Sequence, residues 1–168
     1  KLIENLRGRL LLHAREVLLQ QGYGKLTIRG VAKACGVSVG TVYNCFASKD
    51  MLVASVMLED WMQALARMTS ETQKACSALD GLRAVFCILA DFSAVFSGAW
   101  AEYSARARIL PVLHAHHKRL IDQLCAVIEP LIARFGCLFH PALSAFLAET
   151  LLAASLDPGR RFEDLDVI

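Results

Sequence analysis

The chain has 168 residues, enough for one compact domain or two small ones with a real core, and its six cysteines (35, 45, 76, 87, 125, 137) form neither a CxxC pair nor a clustered framework. Zinc fingers and a disulfide scaffold are thereby excluded, and reduced thiols in a cytoplasmic protein are the reading that follows. The net charge is only +2, but residues 1–50 hold eight Lys/Arg against three acids and the remainder ten against thirteen, so a small basic head precedes a mildly acidic body.

The N-terminus is charged and amphipathic, unlike a secretory signal. Apolar residues Ile3, Leu6, Leu10, Ala14 and Val17 recur at spacings of three and four and predict a helix over 2–21, stopped by Gly22 and Gly24. Thr27 is a good N-cap, and Ile28, Val31, Ala32 and Cys35 mark one face of a second, two-turn helix that Gly36 ends. Ser38 caps a third within the stretch GVSVGTVYNCF, residues 36 to 46. There Val37, Val42 and Phe46 face inward, and Val39, Thr41, Tyr43 and Asn44 point away.

Two short helices joined by a tight glycine turn describe a helix-turn-helix, whose second member enters the DNA major groove. On that reading Gly40 lets the backbone approach DNA. Thr41 and Tyr43 bond phosphate oxygens, and Val39 or a Thr methyl meets a thymine methyl.

The pattern Thr27-x-Arg29-x-Val31-Ala32-x-x-x-Gly36-Val37-Ser38-x-Gly40-Thr41-Val42-Tyr43-x-x-Phe46-x-Ser48-Lys49-Asp50-x-Leu52 resembles the tetracycline-repressor (TetR) family over residues 3–52. The resemblance implies an all-α protein, with a three-helix helix-turn-helix DNA-binding domain (1–50) and a helical effector-binding and dimerisation domain (51–168). It implies DNA contacts from Thr27, Arg29, Val39, Gly40, Thr41, Tyr43 and Lys49. Cys45 departs from the pattern, since a His or Tyr is usual there and a thiol is a weak donor. Base reading through hydrogen bonds is therefore sparse, and shape readout carries more of the specificity.

Ser48-Lys49-Asp50 caps a long helix towards residue 75, with Leu52, Val56, Trp61, Met62, Leu65 and Met68 apolar along it. Leu82 to Phe96 is a further apolar segment, and Pro111 breaks the next. Leu113 to Phe135 continues past a kink at Pro130 to Gly136, and Pro141 opens a last helix to Ser155, after which Pro158-Gly159 ends the ordered pattern. The run Phe135 to Ala148 is too short for the roughly 18 apolar residues of a membrane span, so no membrane partner is expected.

Phe92, Phe96, Trp100 and Tyr103 form an aromatic stripe that, with Trp61, Met62, Phe86 and His114, either lines an effector pocket or packs as ordinary core. The effector expected there is a small apolar or aromatic molecule. His114-x-His116-His117 has no acidic or cysteine ligand at matching spacing, so no metal and no cofactor is expected. Neither a nucleophile elbow nor an HExxH pattern occurs, so the chain does not read as an enzyme. Leu120, Leu124, Val127 and Leu131, with Leu143, Phe146, Leu147 and Leu151, give two apolar stripes that one small body is expected to leave uncovered, which predicts a homodimer through the last two helices. The function read from these features is a ligand-responsive repressor on a palindromic DNA operator. The alternatives are an effector-independent DNA-binding protein, a helical enzyme or a structural bundle.

Overall fold

The computed structural model describes the backbone of residues 2–106, 110–136 and 141–165, and the side chains of 5–96, 117–136 and 142–165. Seven α-helices and one 3₁₀ turn follow in order, with no strand among the described residues: α1 (Leu2–Gln21), α2 (Ile28–Cys35), α3 (Val39–Cys45), α4 (Lys49–Lys74), α5 (Ala78–Arg106), α6 (Leu110–Arg134), α7 (Pro141–Ser155) and the turn Phe162–Asp164.

The chain divides into two compact units, Lys1–Asp60 with Val95–Arg108, and Trp61–Ala94 with Ile109–Ile168. Two of their boundaries fall inside α4 and α5, so the first unit takes in the opening turns of α4, where Leu52, Val53 and Val56 are buried.

In the first unit, α1 packs on α2 and α2 on α3. Leu10, Leu11, Ala14 and Leu18 bury one side of α1, and Ile28, Val31, Ala32 and Cys35 bury the predicted face of α2. Three arginines brace this unit from within. Arg9 Nη2 donates to the Cys35 carbonyl at 2.9 Å, satisfying an acceptor at the end of α2. The Arg7 guanidinium stacks 5.0 Å from the Phe46 ring centroid, and Arg15 is paired with Asp60.

In the second unit α6 packs on α7, and one core joins Trp61, Met68, Val85, Phe86, Leu89, Leu124, Ile128, Leu131, Leu147 and Leu151. α5 begins at a reciprocal cap, in which Ser77 Oγ accepts the Asp80 N–H and Asp80 Oδ2 accepts the Cys76 N–H. Arg134 crosses to the end of α4, donating to the carbonyls of Gln73 at 2.6 Å and Ala75 at 2.5 Å. No described helix is long and apolar enough to cross a membrane.

Three sequence expectations change. Pro111 does not break a helix: it is the second residue of α6, in the first turn, where its missing N–H costs nothing. Order does not end at Pro158-Gly159, because Phe162 folds back, 6% exposed, with its ring centroid 5.9 Å from that of Phe86. The expectation that one body leaves both C-terminal stripes uncovered is also corrected. Leu124, Val127, Leu131, Leu147 and Leu151 are buried within the single chain, because α6 and α7 spend these residues on each other and on the shared core. Leu120 is partly buried against that core, and Leu143 and Phe146 alone of the eight stay exposed.

Candidate nucleic-acid interface

The helix-turn-helix is built by caps. Thr27 takes an extended backbone and its hydroxyl accepts the Gly30 N–H at 3.0 Å. Gly30 has to be small here, since a Cβ would lie 2.9 Å from that same Thr27 Oγ1. α2 ends at Gly36, whose φ of 68° is the left-handed conformation that glycine adopts without steric cost. Ser38 then caps α3, accepting the Thr41 N–H at 3.1 Å and sharing a 2.8 Å hydrogen bond with the Thr41 hydroxyl.

α3 is seven residues long and buries little of itself. Val42 is fully buried and the adjoining Phe46 is 3% exposed, which fixes the helix on the unit's core. Its other side is left to solvent: Gly40 and Asn44 are exposed, Tyr43 is 51% exposed, and Val39, Thr41 and Cys45 are half-buried. Tyr43 thus presents half of its ring to water from a short helix. Gly40 is unexplained from within, because its φ is not positive and a Cβ would meet nothing closer than Ser38 Oγ at 3.7 Å.

The basic residues of the first fifty divide by role. Arg7, Arg9 and Arg15 brace the fold as above. Lys49 is half-buried, its ammonium donating to the Tyr23 carbonyl at 2.6 Å. Lys25, Arg29 and Lys33 are exposed, spaced by four along and just before α2, and form no ion pair among the described residues. The exposed cations outside these contacts are thus fewer than the charge count of the sequence suggests. Lys25 and Lys33 are absent from the family pattern's contact positions, and their spacing of four from Arg29 is the signal in the sequence that points to them.

The residues expected to line a pocket differ in their surroundings among the described side chains. Trp61 and Phe92 pair edge to face with centroids 5.3 Å apart, and the Trp61 indole N–H donates to Gln123 Oε1 at 2.8 Å. Phe86 pairs with Phe162, whereas Met62 is 55% exposed. Phe96 is buried but belongs to the first unit. The side chains of Trp100, Tyr103 and His114 lie outside the described residues. His117 lies 3.0 Å from both carboxylate oxygens of Glu149, and no group of three metal-ligating side chains occurs among the described residues.

Residues 10–56 match the family model described as bacterial regulatory proteins, tetR family. The HTH-type transcriptional regulator UidR of Escherichia coli (strain K12) is 38% identical over 61 residues, 36% of this chain and 31% of that regulator's length. The match therefore spans less than a third of the relative. Among solved structures, Salmonella enterica GusR superposes with a TM-score of 0.67 at 22% identity, over 97% of this chain and 88% of that one. A transcriptional regulator from Rhodococcus sp. Rha1 gives a TM-score of 0.67 at 22% identity, over 95% and 82%. A TetR-family transcriptional regulator from Streptomyces coelicolor gives 0.58 at 22% identity, over 92% and 97%. At these identities the structural likeness is one of fold. Residues 10–56, the helix-turn-helix segment, thus match the tetR family of bacterial regulatory proteins, and the chain shares the fold of solved structures described as transcriptional regulators.

Proposed function

We propose that the chain is a DNA-binding transcriptional regulator, a repressor that holds a palindromic operator as a homodimer and releases it when a small apolar or aromatic effector binds the body. The observation that carries this reading is the outward side of α3. Gly40, Tyr43 and Asn44 sit there exposed, and Lys25, Arg29 and Lys33 are exposed cations along and just before α2, the helix that packs on α3. Such a surface suits a groove lined by phosphates: the cations neutralise the backbone, the Tyr43 hydroxyl bonds a phosphate oxygen, and Gly40 admits close approach. Thr27 and Thr41 serve both the caps and the DNA face, with Val39 offering an apolar contact to a thymine methyl.

A single seven-residue reading helix contacts few bases, so a useful operator needs two heads related by a two-fold axis. Leu143 and Phe146, exposed on α7, are the apolar anchors available for that pairing. The effector part of the reading is motivated by the aromatic content of the body, including the Trp61–Phe92 pair, and by the requirement that any releasing ligand bind the DNA-free state more tightly. Selection of duplexes from a random pool by the purified chain, followed by gel shift at rising salt, tests the proposal. Recovery of an inverted repeat whose binding weakens steeply with salt supports it, and no retarded species at low salt overturns it.

A further inference from the structure

Val42 is the one fully buried residue of α3, so it marks the side of the helix that faces the unit's core. An α-helix turns by about 100° per residue, which puts the positions two before and two after Val42 on the opposite side, one turn apart. Those positions are Gly40 and Asn44, and both are exposed. Thr41 and Tyr43 fall on the two flanks, and the half-buried Val39 and Cys45, three residues from Val42, turn back towards the core. The outermost ridge of α3 therefore carries one residue without a side chain and one with a carboxamide.

The carboxamide is the chemically informative half of this ridge. Its Oδ1 accepts and its Nδ2 donates, side by side in one plane. The Asn44 side chain forms no hydrogen bond among the described residues, so neither group is committed to the fold. No other side chain of α3 presents an adjacent donor and acceptor: Thr41 and Tyr43 carry single hydroxyls, and Val39, Val42 and Cys45 offer at most a weak thiol. In the major groove that pair is complemented by one base, adenine, whose N6 amino group donates and whose N7 accepts. Gly40 supplies the reach. With no side chain one turn away on the same ridge, the backbone can approach the groove floor closely enough for a short Asn side chain to meet base edges.

We propose that Asn44 is the residue through which α3 reads sequence directly, by a two-bond contact to one adenine in each operator half-site, Oδ1 accepting from N6 and Nδ2 donating to N7. The inference rests on the DNA-binding function proposed above and goes beyond it, assigning a base to a residue outside the family pattern's contact positions. Hydrogen-bonded base reading by α3 is then sparse, as its sequence suggests, but it is not absent.

The test compares duplexes selected from a random pool by the wild-type chain and by Asn44→Ala, which removes an exposed side chain without touching the core. Circular dichroism is expected to show the same helix content in both. Wild type is expected to require adenine at one position of each half-site, with a loss of about tenfold for any other base there, and Asn44→Ala to accept any base at that position while keeping the others. Replacing that adenine by 7-deazaadenine, which pairs normally but lacks the N7 acceptor, should weaken wild-type binding and leave Asn44→Ala unaffected. Arg29→Ala is the contrast: it is expected to weaken binding to every duplex alike and to lower the slope of log Kd against log salt by about 1, with the adenine preference intact. The adenine contact is overturned, with the DNA-binding function left standing, if Asn44→Ala still requires every wild-type base, relaxes a base other than adenine, or loses affinity equally for all duplexes. Indifference of the wild type to 7-deazaadenine overturns it in the same way. A wild-type chain that selects no duplex overturns both.

Discussion

Arg15 and Asp60 form a forked contact, with Arg15 Nε 2.9 Å from Oδ1 and 2.8 Å from Oδ2 of a carboxylate whose side chain is only 9% exposed. The pair joins the middle of α1 to α4, at the edge of the first compact unit. Because Asp60 is the desolvated partner, removing Arg15 leaves a buried carboxylate without its counter-ion, whereas Arg15 itself remains partly in water. Arg15→Ala is expected to lower stability by about 1 to 2 kcal/mol, discounted for the exposure of the guanidinium. Urea unfolding followed by far-ultraviolet circular dichroism measures it. A midpoint unchanged from wild type would show that the contact is decorative.

Gly40 separates folding from binding. With room for a Cβ and ordinary helical backbone, Gly40→Ala is expected to leave the fold intact and to stabilise it by up to about 0.5 to 1 kcal/mol through helix propensity. DNA affinity is expected to fall at least tenfold, as the methyl stands between backbone and groove, roughly 1.4 kcal/mol or more. Thermal denaturation and gel shift on the same preparation decide the matter. Affinity equal to wild type would remove Gly40 from the interface.

Gly81 makes the opposite case. A Cβ there would lie 2.5 Å from both Leu131 methyls, so the buried Leu131 side chain would have to shift to admit one. Gly81→Ala is expected to destabilise the body by about 1 to 3 kcal/mol through overpacking. Gly81→Ala combined with Leu131→Ala should cost less than the two singles added together, because the second change removes the atoms the first collides with. Additive losses would place the strain elsewhere.

Thiol labelling should follow burial. Cys76 and Cys87 are exposed, Cys35 is buried with Sγ against the Arg9 carbonyl, and burial raises the Cys125 thiol above its ordinary 9.0 despite the opposing hydrogen bond with Ser144. A raised pKa means that less thiolate is present at pH 8, so Cys125 is expected to alkylate more slowly than Cys76 and Cys87. Mass spectrometry of iodoacetamide adducts with time gives the order. Prompt labelling of Cys125 alongside Cys76 would contradict the packing of α6 on α7.

Phe146 is 50% exposed in the single chain, so Phe146→Glu is expected to leave the helices of one protomer folded while placing a charge in the proposed pairing surface. Sedimentation at micromolar concentration should shift from dimer to monomer, with helical circular dichroism preserved and DNA affinity lost. A wild-type monomer that binds its duplex tightly would sink the homodimer reading.

The helix-turn-helix was legible in the sequence because each of its signals is local. Thr27, Gly36 and Ser38 state where α2 and α3 start and stop, and within α3 the inward pair Val42 and Phe46 separates cleanly from Tyr43 and Asn44. The body was less legible because an apolar stripe does not say what covers it. Leu124 and Phe146 look alike in sequence, yet one is fully buried and the other half in water, a difference made by helices far away along the chain. Lys49 was opaque for the same reason: its partner, Tyr23, lies on the far side of two helices.

Phe162 bears on how the protein is made. Its ring joins the core of the second unit against Phe86, flanked by Arg83, whose guanidinium sits 5.3 Å from the ring centroid and whose Nε pairs with Glu163 at 3.3 Å. A ribosome translating this chain delivers Phe86 long before Phe162, so the second core stays open on one side until nearly all of α7 and the following turn have emerged. During that interval the nascent body exposes the apolar surface that Phe162 later covers, and it is then that a chaperone has most to shield.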